Sequence, residues 1–165
     1  MRKTAGRVRT SRGGAAVLIK ISPDLSFEAI DELLEVLLRR QIAGVVATNT
    51  TTTRPETIDP ELKRIYAEPG GLSGRPLRER STAVIAHIFN QTGGALPVIG
   101  VGGIFNAADA WEKITAGATL LQVYSGLIYE GPGIAAEIVR GLLERMEAFG
   151  LRTLDQARGG DFSFS

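Results

Sequence analysis

The chain has no cysteine, a single histidine, a single tryptophan and 6% aromatic residues in 165 positions. Without cysteine there is no disulfide scaffold, no thiolate-ligated zinc or iron–sulfur centre and no thiol nucleophile. No apolar run approaches the ~20 residues that span a bilayer, and no G-x-x-x-x-G-K-[ST] phosphate loop occurs. His87 falls mid-helix with neither a second histidine nor a carboxylate at ligand spacing, so it reads as structural and no metal site is expected. The 19 basic and 18 acidic residues nearly cancel, which gives no electrostatic reason to expect a nucleic-acid partner.

What is present is a folded-protein composition: 44% hydrophobic residues and 20 glycines, in a length that suits one domain. Charge is unevenly placed. Arg2, Lys3, Arg7, Arg9, Arg12 and Lys20 are the charged residues of the first twenty positions, and no acid accompanies them. No aromatic residues interleave with these bases, so residues 1–14 read as a basic, disordered, solvated start, and residues 15–165 as the domain.

Four short apolar runs alternate with helix-period segments. Ala15 to Ile21 is the first; a helix follows with Phe27, Ile30, Leu33, Leu34 and Leu37 on one face and Ser26 as its N-cap. Gly44 to Thr48 is the second, followed from Asn49 to Arg80 by a long stretch of little periodicity. A helix resumes near Ser81, with Val84, Ile85, Ile88 and Phe89 inward, and stops at Gly93-Gly94. Pro97 to Val101 is the third run. Asn106 caps the helix after it, Ala107 to Ala116, and Asp109 lies in that helix's first turn. Thr119 to Val123 is the fourth, and a last helix carries Ile134, Ile138, Val139, Leu142, Leu143 and Met146 to Gly150. The tail from Leu151 is poorly patterned. Continuous apolar strands alternating with helices predict a parallel sheet whose strands are buried on both faces.

Two architectures satisfy that pattern: an open doubly wound sheet, or half of a (β/α)8 barrel, since a whole barrel needs ~250 residues. In either, chemistry belongs at the carboxyl ends of the strands. Those ends carry Lys20, Thr48-Asn49-Thr50-Thr51, Gly102-Gly103 and Tyr124-Ser125. A lysine ending an apolar strand suits an anionic or polar ligand; the plainer alternatives are snorkelling to the rim and pairing with Asp24. The glycine pair allows bare backbone N–H groups to approach an anion, although Phe105 in place of a third glycine excludes a dinucleotide fingerprint. Barrels bind phosphate with the loops after their seventh and eighth strands. If these strands are the last four of eight, Gly102-Gly103 and Tyr124-Ser125 occupy those places, which favours the half-barrel. In the long stretch, Gly70-Gly71-Leu72-Ser73-Gly74 permits close approach to a flat ligand, and Leu72 and Leu77 suit packing. Trp111 reads as packing, and Asp59 and Glu61 form no acid–base pair.

Five motifs stand in order: Lys20-Ile21-Ser22-Pro23-Asp24-Leu25; Thr48-Asn49-Thr50-Thr51 with Arg54-Pro55; Gly70 to Leu77; Ile99 to Ile104; and Gln122-Val123-Tyr124-Ser125. Together they resemble the C-terminal half of the class 2, quinone-linked dihydroorotate dehydrogenases, from about Val17 to Gly160. The resemblance implies strands 5–8 of a (β/α)8 (TIM) barrel and a flavoprotein oxidoreductase acting on a CH–CH group. Its chemistry would be FMN-dependent oxidation of dihydroorotate to orotate in pyrimidine biosynthesis, with a quinone as electron acceptor. It implies that Lys20, Thr48, Ser73, Gly74, Gly102, Gly103, Tyr124 and Ser125 bind FMN, and that Asn49 and Thr50 bind the pyrimidine. Arg75 stands where lysine is common, and Ser125 where threonine is. The family's catalytic base lies in the other half of the barrel, so no catalytic residue is assigned here. The chain reads as a fragment, inactive alone and open to self-association or to complementation by an N-terminal half. The resemblance also implies a peripheral place on the cytoplasmic side of the inner membrane for full-length members.

Overall fold

The computed structural model describes residues 15–162; the basic segment 1–14 lies outside the described residues. Four strands, β1 (Leu18–Ile21), β2 (Gly44–Ala47), β3 (Val98–Val101) and β4 (Leu120–Gln122), form one parallel sheet in the order β1-β2-β3-β4. Sequential order with a helical crossover between neighbours is the pattern of consecutive βα units in a (β/α)8 barrel, here a four-stranded arc.

The register divides the arc into two faces. Ile19, Val45 and Val98 are aligned, as are Lys20, Val46, Ile99 and Leu120. Period-2 alternation sends these two rows to opposite sides. Val45 and Val98 are buried against the helices, whereas Leu120 is 62% exposed and Leu18 42% exposed. The expectation of strands buried on both faces is therefore corrected: the helices α1 (Phe27–Arg39), α3 (Arg78–Thr92), α4 (Ala107–Thr115) and α6 (Ile134–Ala148) pack into the core layer on one side only.

Each helix forms for a local reason. The Ser26 hydroxyl accepts from the Ala29 N–H at 3.2 Å and starts α1, which buries Ile30, Leu34 and Leu37. Helix α3 begins at Arg78, three residues before the Ser81 read from periodicity, because a 3-10 turn at Arg75–Leu77 feeds directly into it. It buries Val84, Ile85 and Ile88 and ends at Gly93 with φ +57°. The Asn106 side chain accepts from the Asp109 N–H at 2.9 Å and starts α4. The long stretch after β2 is more ordered than its composition suggests. It contains α2 (Pro60–Tyr66), capped by Asp59, and an antiparallel bridge between Thr51 and Leu72. After β4 comes a short helix, α5 (Ser125–Glu130).

The poorly patterned tail is ordered over residues 151–162: a 3-10 turn at Leu154–Gln156 carries a capping box, Ala157 is fully buried, and Phe162 accepts a 2.9 Å hydrogen bond from the Trp111 indole. One further expectation is corrected. His87 does have a carboxylate partner. Its Nε2 lies 2.6 Å from Asp31 and its ring stacks on Phe27, both on α1, so it joins two helices, a structural role that sequence separation hid.

Candidate functional site

The carboxyl ends of all four strands open on one side of the sheet, and the polar residues concentrated there meet. Lys20 comes from the end of β1, Thr48, Asn49 and Thr50 follow β2, Gly102 and Gly103 follow β3, and Tyr124 and Ser125 follow β4. Ser73 and Gly74 arrive from the long loop. All ten line one cavity of about 230 Å³, with Leu77, Val101, Ile104 and Val123 as apolar wall and Gln122 and Gly126 beside them. Five of the last six lie inside the quoted motifs, but none of the six is assigned to the site by pattern. The apolar ones carry no chemical signal, and Gly126 becomes visible only through its fit: a Cβ there would lie 2.2 Å from the Ile104 carbonyl oxygen.

Hydrogen bonds fix the loops that carry these side chains. Asp24 accepts from the Thr51 hydroxyl and, at 2.8 Å each, from the Thr52 N–H and hydroxyl. Burial pushes the Asp24 carboxyl up, but the Thr51 and Thr52 hydrogen bonds and the Arg80 charge outweigh it, so its pKa lies below the ordinary aspartate value. Arg54 spans the base of the long loop, donating to the carbonyls of Thr51 (3.1 Å), Tyr66 (3.1 Å) and Gly70 (2.6 Å). Gly71 then lies flat on Thr50: a Cβ there would sit 1.9 Å from the Thr50 hydroxyl. Ser73 and Ser125, from different elements, share a hydrogen bond of 2.9 Å.

Lys20 is the one charged side chain lining the cavity among the described residues. The alternative that it pairs with Asp24 is not realised, since the Asp24 oxygens are occupied by threonines and no ion pair joins the two. The ammonium is left to a ligand or to solvent. After the carboxyl end of β3, Gly102 and Gly103 hold φ of +119° and +71°, which exposes main chain without side-chain cover. No side chain caps the start of α5 at Ser125, and the Leu127 N–H there is already taken by the Tyr124 carbonyl at 3.0 Å. The arrangement suits an elongated ligand with a polar ring at the Lys20–Asn49 end and an anion near Gly102, Gly103 and Ser125.

A family model described as dihydroorotate dehydrogenase matches residues 2–146. The protein named dihydroorotate dehydrogenase (quinone) from Trichodesmium erythraeum (strain IMS101) is 48% identical over 147 residues, covering 87% of this chain and 39% of that protein. The one from Cyanothece sp. (strain PCC 7425 / ATCC 29141) is 53% identical over 142 residues, covering 84% and 38%. Among solved structures, the ligand-free DHODH from Eimeria tenella superposes with a TM-score of 0.81 at 37% identity, covering 87% of this chain and 39% of that one. The chain thus spans about two-fifths of the length of these relatives.

Proposed function

The chain belongs to the dihydroorotate dehydrogenase family, and on that premise we propose that residues 15–165 are the FMN- and pyrimidine-binding wall of a quinone-linked dihydroorotate dehydrogenase. The carrying observation is that residues from four strand ends and one loop converge on a cavity whose lone charge among the described residues is an ammonium with no ion pair to any of them.

The donor set fits FMN. Gly102, Gly103, Tyr124 and Ser125 would hold the phosphate, and Ser73, Gly74, Thr48 and Lys20 would contact the flavin. When bound, FMN supplies a two-electron acceptor. Lys20 would favour negative charge beside its ammonium, for which no carboxylate competes among the described residues. Asn49 offers a donor and an acceptor, and Thr50 a hydroxyl, matching the alternating groups of a pyrimidine ring. Oxidation of dihydroorotate to orotate also requires a base for one proton. The lining contains no carboxylate and no imidazole among the described residues, so this wall binds and orients while the base comes from elsewhere. The electron acceptor is a quinone, reached at the membrane surface in full-length members of the family; no helix of the described residues is long and apolar enough to cross a membrane.

Equilibrium dialysis of the purified chain against FMN tests this reading. Saturable binding is expected, weakened about tenfold by Lys20→Ala, the scale of one charge-assisted contact. Binding of orotate to the loaded chain should fall with Asn49→Ala, and turnover of dihydroorotate with a dye acceptor should be absent. No FMN uptake would overturn the assignment, and measurable turnover would overturn the statement about the base.

A second reading, a non-catalytic FMN- or phosphate-binding half-barrel that self-associates, is favoured by the uncovered sheet face bearing Leu18 and Leu120. Light scattering tests this second reading, which a stable monomer would overturn.

A further inference from the structure

Beneath the glycine loop that follows β3 lies a cluster of charges that the reading above does not use. Asp109, 1% exposed, sends one carboxylate oxygen to the Phe105 N–H at 3.0 Å and the other to the Arg78 guanidinium at 3.0 Å. Arg78 also pairs with Glu112 at 2.5 Å. The main chain of Arg78 is in turn the surface on which Gly103 rests: a Cβ on Gly103 would lie 2.5 Å from the Arg78 Cβ and 2.6 Å from its Cα. Lys113, fully buried, donates to the Arg78 carbonyl at 2.6 Å and so fixes that main chain from below. The loop Gly102–Phe105 is therefore held from two sides, by the Arg78 backbone under Gly103 and by Asp109 at Phe105, and the Arg78–Asp109 ion pair joins the two supports.

Burying such charges is costly, and an apolar replacement often serves stability as well or better. Their hold on Phe105, two residues from Gly103, supplies another reason for them. The amides that meet an anion act only if they are already aimed before it arrives, since ordering them on binding would consume affinity.

We propose that Asp109 is a positioning residue for the anion end of the ligand, presetting the Gly102–Gly103 backbone through Phe105 and Arg78 without touching the ligand itself. The inference rests on reading that backbone as the phosphate cradle. It predicts that Asp109 controls the preference of the site for FMN over riboflavin, which is the same ring system without the phosphate.

The test measures dissociation constants of FMN and riboflavin for the full chain by equilibrium dialysis, in the unaltered protein, Asp109→Ala and Asp109→Asn. The unaltered chain should favour FMN. Asp109→Ala should weaken FMN about tenfold, the scale of a hydrogen bond to a charged group, and leave riboflavin within about twofold. Asp109→Asn, which keeps an acceptor for Phe105 but loses the charge facing Arg78, should fall between. Equal losses for both flavins, or an unchanged preference, would overturn the proposal by showing general packing or no role. If Asp109→Ala fails to fold by circular dichroism, Asp109→Asn alone decides: a drop in preference of about threefold or more supports the proposal, and a smaller one overturns it. An unaltered chain with no FMN preference overturns the cradle reading itself, which is a different result from a preference that survives in the variants.

Discussion

Gly103 and Gly93 both hold positive φ, +71° and +57°, yet their surroundings differ. A methyl at Gly93 meets nothing within 4 Å, while at Gly103 it would run into the Arg78 backbone. Gly93→Ala should cost about 1 kcal/mol, the conformational penalty alone. Gly103→Ala should cost more, about 2–4 kcal/mol, because backbone must also shift. Urea denaturation of the two variants checks the ordering. At Lys113, burial pushes the ammonium down to about 8. Below that pH the lysine is protonated in folded and unfolded chains alike, and the penalty of burying the charge is fully present. Between pH 8 and the free-lysine value the folded chain gives up its proton first, so stability should rise by at most about 3 kcal/mol. The rise should be missing in Lys113→Met; denaturation at pH 7.5 and 9.5 measures both. Individual residues were legible where their oddity was local. Lys20 ending an apolar strand and the Gly102-Gly103 pair announce themselves. His87 and Asp109 do not, because Asp31 and Arg78 come from other elements.

Among the elements, the caps differ in what depends on them. Helix α2 buries none of its side chains, so nothing but its ends and local bonds holds it. Asp59→Ala, removing the acceptor of the 2.8 Å bond from the Glu61 N–H, should release the α2 amides to fast hydrogen exchange and leave the global unfolding midpoint unchanged. Loss of the Asn106 cap of α4, by contrast, should lower global stability by about 1 kcal/mol, because α4 buries Trp111 and Ile114 in the core. The same distinction explains which elements could be read in advance. Helices α1, α3, α4 and α6 each bury a stripe, and a stripe is a period in the sequence. Helices α2 and α5 bury nothing or only Gly126, so they leave no period to find.

For the molecule as a whole, the arc has one covered and one uncovered face. Apolar strand sequences signal burial without saying what performs it, which is why the sequence pattern alone points to burial on both faces. Leu120, 62% exposed on an edge strand, contributes to the bare face and little to the covered core. Leu120→Lys should therefore leave the denaturation midpoint nearly unchanged and raise the monomer fraction in light scattering. A loss of stability instead would place this residue in the core. The cavity was legible from the order of strand ends; its supports beneath were not, because they depend on how two helices meet.

The chain has one tryptophan, and it sits in the helical layer, stacked on Phe149 at 5.8 Å and bonded to the backbone of Phe162. Its emission is thus a built-in reporter on the docking of residues 151–162. Ultraviolet excitation during unfolding would show whether that strap peels away ahead of the sheet or leaves together with it.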